Sequence, residues 1–147
     1  MIKLVDANLL IYAVNRDLPQ HQLAREWLES AISGHDAVGL PWVSVLAFLR
    51  LSTNARVFSS PLNVDRAAAY VDEWLEQPAV SLVVPGAKHW AILKTLLLTT
   101  GTAGNLTTDA HIAALALENG GTVCSADNDF RRYPGLRFLN PLATRSK

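Results

Sequence analysis

Asp6, Asp109, Asp127 and Asp129 are the residues of this chain whose type and setting suit chemistry. Asp6 interrupts the apolar run LVDANLLIYAVN, Asp109 opens the otherwise apolar stretch of GNLTTDAHIAALALENGG, and Asp127 and Asp129 follow the apolar residues of TVCSADNDF. Taken singly, each has an ordinary explanation, because Asp caps helices, complements the N-terminal dipole and populates turns. Gathered in one cleft, four carboxylates repel one another unless a cation or protons intervene. Oxygen-only ligands suit Mg²⁺ or Mn²⁺, which keep several waters and so present an activated water beside a bound phosphate. That is the chemistry of metal-dependent phosphodiester hydrolysis.

The elements that must position these acids follow from periodicity. Residues 2–5 read as a short strand, and residues 20–32 as a helix with Leu23, Trp27, Leu28, Ala31 and Ile32 inward. Residues 37–40 read as a second strand, and Pro41 introduces an apolar helix toward Thr53. Asn63 caps a helix whose inward face is Val64, Ala67, Ala68, Val71, Trp74 and Leu75. Residues 80–84 read as a strand, 86–100 as a helix facing inward through Trp90, Leu93 and Leu97, and 108–119 as an Ala-rich helix ended by Gly120-Gly121. Residues 122–125 and 136–139 are the last strands. Short apolar strands separated by helices predict an α/β three-layer sandwich around a central parallel sheet. In such a sheet strand ends and helix starts share one edge, and ligands bind there. Asp6 ends the first strand, Asp127 and Asp129 follow another at the corresponding end, and Asp109 lies in the first turn of its helix.

Composition narrows the class. The chain has 147 residues, 50% hydrophobic and 18% charged, with no internal repeat or low-complexity linker, which predicts a single domain over residues 1–147. No apolar run reaches the roughly 18 to 20 residues of a membrane span, and Asp6 breaks what would be the core of a signal peptide, so the chain reads as cytoplasmic. The one cysteine, Cys124, has no partner for a disulfide or a thiolate zinc site and reads as an apolar filler. Net charge is zero, yet residues 131–147 hold Arg131, Arg132, Arg137, Arg145 and Lys147 with no acid. Such a basic C-terminal segment either holds phosphates or an acidic partner, or is a solvated tail.

At LVDANLLIYAV, LPWVSVLAFLRLSTNARVF, GNLTTDAHIAALALENGGTV and SADNDFRRYPGLRFLNPL the chain resembles the PIN-domain ribonucleases, and among them the VapC-like toxins of type II toxin-antitoxin systems. The resemblance covers nearly the whole chain. It implies Asp6 and Asp109 as principal ligands of Mg²⁺ or Mn²⁺, Asp127 as the third acid, and Asp129 as a neighbour for a second metal or for positioning water. It implies Asn8 and Ser125 as supporting residues, and a toxic endoribonuclease that hydrolyses RNA phosphodiester bonds. It also implies a homodimer silenced by a small VapB-like antitoxin whose C-terminal segment covers the acidic cleft, and the apolar surface of the helices at residues 41–53 and 63–77 is a candidate for that contact, with ordinary core as the competing reading. Arg50, Arg56, Arg131 and Arg132 are candidates for holding RNA phosphates, in exposed single-stranded loops where bases and phosphates are accessible.

One departure bears on the site. Many PIN domains carry a Glu on the helix after the second strand, where WVSVLAFLR has Ala47, and no acid lies between Asp36 and Asp65. Three readings compete: a site that works with three or four aspartates, a variant with weaker metal binding, or an inactive relative that keeps only a binding role. The first is preferred, because the remaining acids are intact and a catalytic metal commonly leaves positions to water. His111 lies two residues from Asp109, but its Ala-rich helix favours a packed residue over a general base, and His21, His35 and His89 show no ligand spacing. An aspartyl-phosphate mechanism at Asp6 is disfavoured, since Asn8 replaces the usual second acid two residues on. A non-catalytic module that sequesters antitoxin or RNA remains the competing class.

Overall fold

The computed structural model describes residues 1–101 and 103–143. Arg145 and Lys147 of the basic segment lie outside the described residues. The chain runs β1 (Lys3–Val5), α1 (Ala7–Val14), α2 (His21–Ile32), β2 (Val38–Pro41), α3 (Trp42–Ser52), α4 (Val64–Glu76), β3 (Val80–Val83), α5 (His89–Thr100), α6 (Thr107–Asn119), β4 (Thr122–Cys124) and β5 (Arg137–Leu139). The strands form one sheet in the order β3-β2-β1-β4-β5, every pairing parallel, as the alternation of apolar strands and helices predicts.

Alternating side chains build a core on each face. Val5, Val38, Leu40 and Cys124 pack with α1, α2, α3 and α4, whereas Leu4 and Val123 pack with α5 and α6. The second core is lined by Ala110, Ala113, Ala114 and Ala116, small residues that let α6 lie close beneath the sheet. Fully buried Phe48 meets Trp74 edge-on, centroids 4.9 Å apart, which locks α3 to α4.

Two features differ from the sequence reading. Residues 7–14 form a helix that periodicity does not reveal, because ANLLIYAV is apolar almost throughout; Ala7, Leu9, Leu10 and Ile11 are all buried. Leu23, Val64 and Trp90, expected inward, are instead 55%, 74% and 64% exposed, and Ala68, expected inward on the same helix as Val64, is exposed as well. In α2 the buried stripe is Ala24, Leu28 and Ala31, one position on from Leu23, and a shift of one residue turns a side chain by about 100°. Trp90 likewise adjoins buried His89, and Val64 is the first residue of α4, at the end of its helix. Among the described residues no helix is long and apolar enough to cross a membrane.

Candidate active site

The strand order reverses direction between β1 and β4, since the chain builds outward to β2 and β3 before returning to β4 and β5. A crevice at the carboxyl ends of the strands opens at such a switch point. Asp6 follows β1 directly and Asp127 comes three residues after β4. The Asp6 amide still donates to the Cys124 carbonyl at 3.0 Å, so the two strand ends are tied where the acids emerge.

A buried hydroxyl organises the rest. Ser125 Oγ, wholly inaccessible to solvent, donates to Asp6 Oδ2 at 2.8 Å and accepts from the Asp127 amide at 3.0 Å and from Asn8 Nδ2 at 3.1 Å. Asn8 Oδ1 in turn accepts from the Ala126 amide at 3.2 Å. Asp6 also caps α1, its Oδ1 accepting from the Ala7 amide at 2.8 Å, so the ordinary explanation of this acid holds. Asp127 caps the 3₁₀ turn Asn128–Arg132 by accepting from the Asp129 amide at 2.9 Å. Asp109 enters from the first turn of α6.

Electrostatics shows that these groups share one space. Burial, then Asp6 and Asp127, push the Asp109 carboxyl up to about 6, with Asp129 adding to the effect and Arg132 opposing it. Burial also raises Asp6, against the hydrogen bonds from Ser125 and Ala7. Arg132 is the neighbouring cation: Nε donates to the Asp129 carbonyl at 3.0 Å and Nη2 lies 3.3 Å from Asp129 Oδ2. Among the described residues no three His, Cys, Asp or Glu side chains are already gathered tightly enough to hold an ion. Uncompensated carboxylates hold apart, and the donor set, all aspartate oxygens, fits a hard divalent cation that retains waters.

The structure therefore brings together Asp6, Asp109, Asp127 and Asp129, with Asn8, Ser125 and Arg132. Arg131 faces the Phe138 ring at 5.8 Å. Arg50 is in the last turn of α3, on the order of 12 Å along the helix from its start, and neither it nor Arg56 is among the charges that act on Asp6 and Asp109 as Arg132 acts on Asp109. Ala47 packs partly buried against the core beside α1, and α3 carries no acid at any position. Tyr133 escaped the sequence reading: it is 4% exposed, its hydroxyl donates to the Leu106 carbonyl at 3.4 Å, and burial followed by the charge of Asp109 holds the phenol above its usual range. Only its place just after the acidic pair marks it in the sequence.

Removing the Ser125 hydroxyl tests the hub. Ser125→Ala is expected to cost about 1–3 kcal/mol, since it strips a donor from Asp6 and leaves Asn8 Nδ2 and the Asp127 amide short of an acceptor. Divalent-ion affinity should fall by about 10- to 100-fold, the usual effect of losing a ligand's orienting partner. Chemical denaturation and calorimetric titration with Mn²⁺ measure the two; an unchanged affinity would remove Ser125 from the site.

Comparison with known proteins adds independent findings. The family described as PIN domain matches residues 3–136. Ribonuclease VapC37 of Mycobacterium tuberculosis is 44% identical over 97% of this chain and 99% of its own length. Ribonuclease VapC33 of the same organism is 43% identical over 93% of this chain and 96% of its own. Among solved structures, VapBC2 from Rickettsia felis, bound to a DNA fragment from their promoter, superposes with a TM-score of 0.70 at 20% identity, covering 95% of this chain and 98% of the matched one. At that identity the last likeness speaks to the fold.

Proposed function

The chain belongs to the PIN-domain family, with VapC ribonucleases among its relatives, and from that premise we propose that it is a toxin ribonuclease that hydrolyses RNA phosphodiester bonds with Mg²⁺ or Mn²⁺. The observation that carries this reading is the convergence of Asp6, Asp109, Asp127 and Asp129 at the switch point, where burial and then the charges of Asp6 and Asp127 lift Asp109 to about 6. Asp6, Asp109 and Asp127 would hold the metal, and Asp129 would extend the set. When bound, the cation supplies the charge that polarises a phosphate and activates water.

The chain's own residues supply position. Ser125 and the Ala7 amide fix both oxygens of Asp6, which limits its carboxylate to one orientation. Asp109 is delivered by a helix buried along Ala110, Ile112, Ala113 and Ala114, so its backbone has little freedom. Arg132, held by Asp129 at the cleft edge, offers a guanidinium to an RNA phosphate. No protein nucleophile is required. Incubating the purified chain with structured RNAs and Mg²⁺ or Mn²⁺, beside Asp109→Ala, tests the reading. Equal cleavage by both proteins, or none by either, would sink it. Absence of cleavage by both would favour the second reading, an inactive binding module, which the acid-free α3 supports.

A VapB-like antitoxin is the proposed protein partner. A groove of about 370 Å³ away from the acids is lined by Val14, Arg16, Arg25, Leu28, Tyr70 and Trp74, among others, and so offers an apolar floor with charged rims to a peptide. Tyr70→Ala in α4 is expected to weaken antitoxin binding at least tenfold, because a half-buried aromatic anchor on the wall of the groove would be lost. Binding of the two purified proteins checks this, with a thermal melt of the variant verifying that it folds. A second copy of the chain is proposed to cover Trp42 and Leu46, exposed four residues apart on α3. Sedimentation of the purified chain as a monomer would overturn that assignment.

A further inference from the structure

Away from the acidic cleft, α5 and α6 bring together two imidazoles and a carboxylate that sequence spacing keeps apart. His89, 8% exposed at the start of α5, sets Nε2 2.9 Å from Nδ1 of His111 on α6, the rings edge-on with centroids 4.7 Å apart. Its other nitrogen, Nδ1, is buried without a hydrogen-bond partner and lies 4.0 Å from Glu118 Oε1. Glu118 is itself anchored, accepting from the Gly86 amide at 2.8 Å and the Lys88 amide at 3.0 Å.

As a hydrogen bond alone, this arrangement leaves a polar group poorly served. If His89 Nε2 donates, its Nδ1 turns a bare lone pair toward a carboxylate. If His111 Nδ1 donates instead, His89 Nδ1–H faces Glu118 at a distance too long for a hydrogen bond. The second tautomer is the better one electrostatically. It also leaves His89 with an N–H directed at a carboxylate and a lone pair at the opposite end of the ring, which is the disposition of a metal-ligating histidine.

We propose that His89 and His111 form a site for a borderline transition metal such as Zn²⁺, bound by His89 Nε2 and by His111 Nδ1 once the neutral His111 ring carries its proton on Nε2 instead, with Glu118 orienting His89. Zn–N bonds of about 2.0–2.1 Å at a tetrahedral angle need nitrogens roughly 3.3 Å apart, so the nitrogens part by a few tenths of an ångström and each ring turns by roughly 35° to aim its lone pair at the ion. Among the described residues no third His, Cys, Asp or Glu converges on them, and water takes the other positions. Imidazole favours Zn²⁺, Ni²⁺ or Cu²⁺ where carboxylate favours Mg²⁺ or Mn²⁺, so the two sites sort ions by ligand type. An ion here cross-links α5 to the helix that carries Asp109.

Calorimetric titration of the full chain with Zn²⁺ in excess Mg²⁺, which occupies carboxylate sites, tests the proposal. One Zn²⁺ per chain is expected, retained in Asp109→Ala, weakened at least tenfold in His111→Ala and in His89→Gln, and weakened about tenfold in Glu118→Gln. Absence of saturable binding, or binding unchanged in His111→Ala, overturns it. His111 is only partly buried, so that variant decides the matter if His89→Gln does not fold. The readout needs no RNA cleavage, and its outcome is independent of the nuclease reading.

Discussion

Replacing Asp109 by Asn is expected to lower RNA cleavage by about three orders of magnitude while leaving the metal-free protein at least as stable as the parent. The activity loss follows from charge: a metal at a transferring phosphate is worth several kcal/mol, and each 1.36 kcal/mol is tenfold in rate, so losing an anionic ligand at near-constant shape reaches that size. The stability gain follows from the same charge. Burial, Asp6, Asp127 and Asp129 all disfavour ionised Asp109, so a neutral amide relieves repulsion that the folded state otherwise carries. Opposite signs for activity and stability separate a functional acid from a structural one. Cleavage assays and thermal melts in chelator measure the two effects. A variant that loses stability in chelator would mean that Asp109 holds the fold together, and the metal assignment would fail.

The strand and helix alternation and the acids at the strand ends were legible because both follow from short-range pattern: apolar runs of strand length, and charges where they break. That Asp6, Asp109 and Asp127 meet required only the rule that parallel strands share one carboxyl edge. Helix α1 was not legible, since ANLLIYAV is surrounded by core and has no polar face to betray its period. The Ser125 hub was visible as a residue type and not as a geometry, because its partners Asp6 and Asn8 lie 119 and 117 positions away. Tyr133 and the His89–His111 pair were hidden for the same reason: long-range packing, not local spacing, decides what a side chain faces. Helix faces failed by single residues, as at Leu23 and Trp90, where one step of the helix separates buried from exposed. The absence of an acid along α3, Ala47 included, is legible in the sequence itself, since it needs no geometry.

The pH dependence of metal binding carries the second large effect. Asp109 must be ionised to hold a cation, and its carboxyl titrates at about 6 in the metal-free fold instead of the ordinary 3.8. Protons therefore compete with Mg²⁺ across a window that an ordinary aspartate would leave untouched, and affinity should fall roughly tenfold per pH unit below about 6. Asp6, raised in the same direction, steepens the fall. The metal-free stability runs the other way. A carboxyl raised on folding contributes stability that is full below its unfolded value and is lost as pH rises through its folded value, so the chain in chelator should be more stable at pH 5 than at pH 7.5. Asp109 is partly open to solvent, which limits that contribution to about 1 kcal/mol. Thermal melts at both pH values, with and without Mg²⁺, read both trends together. Mg²⁺ should raise the melting temperature at pH 7.5 by mass action and do little at pH 5. An equal Mg²⁺ shift at the two pH values would place the ion away from Asp109, whereas loss of the pH 7.5 shift in Asp109→Asn would tie the ion to that carboxylate.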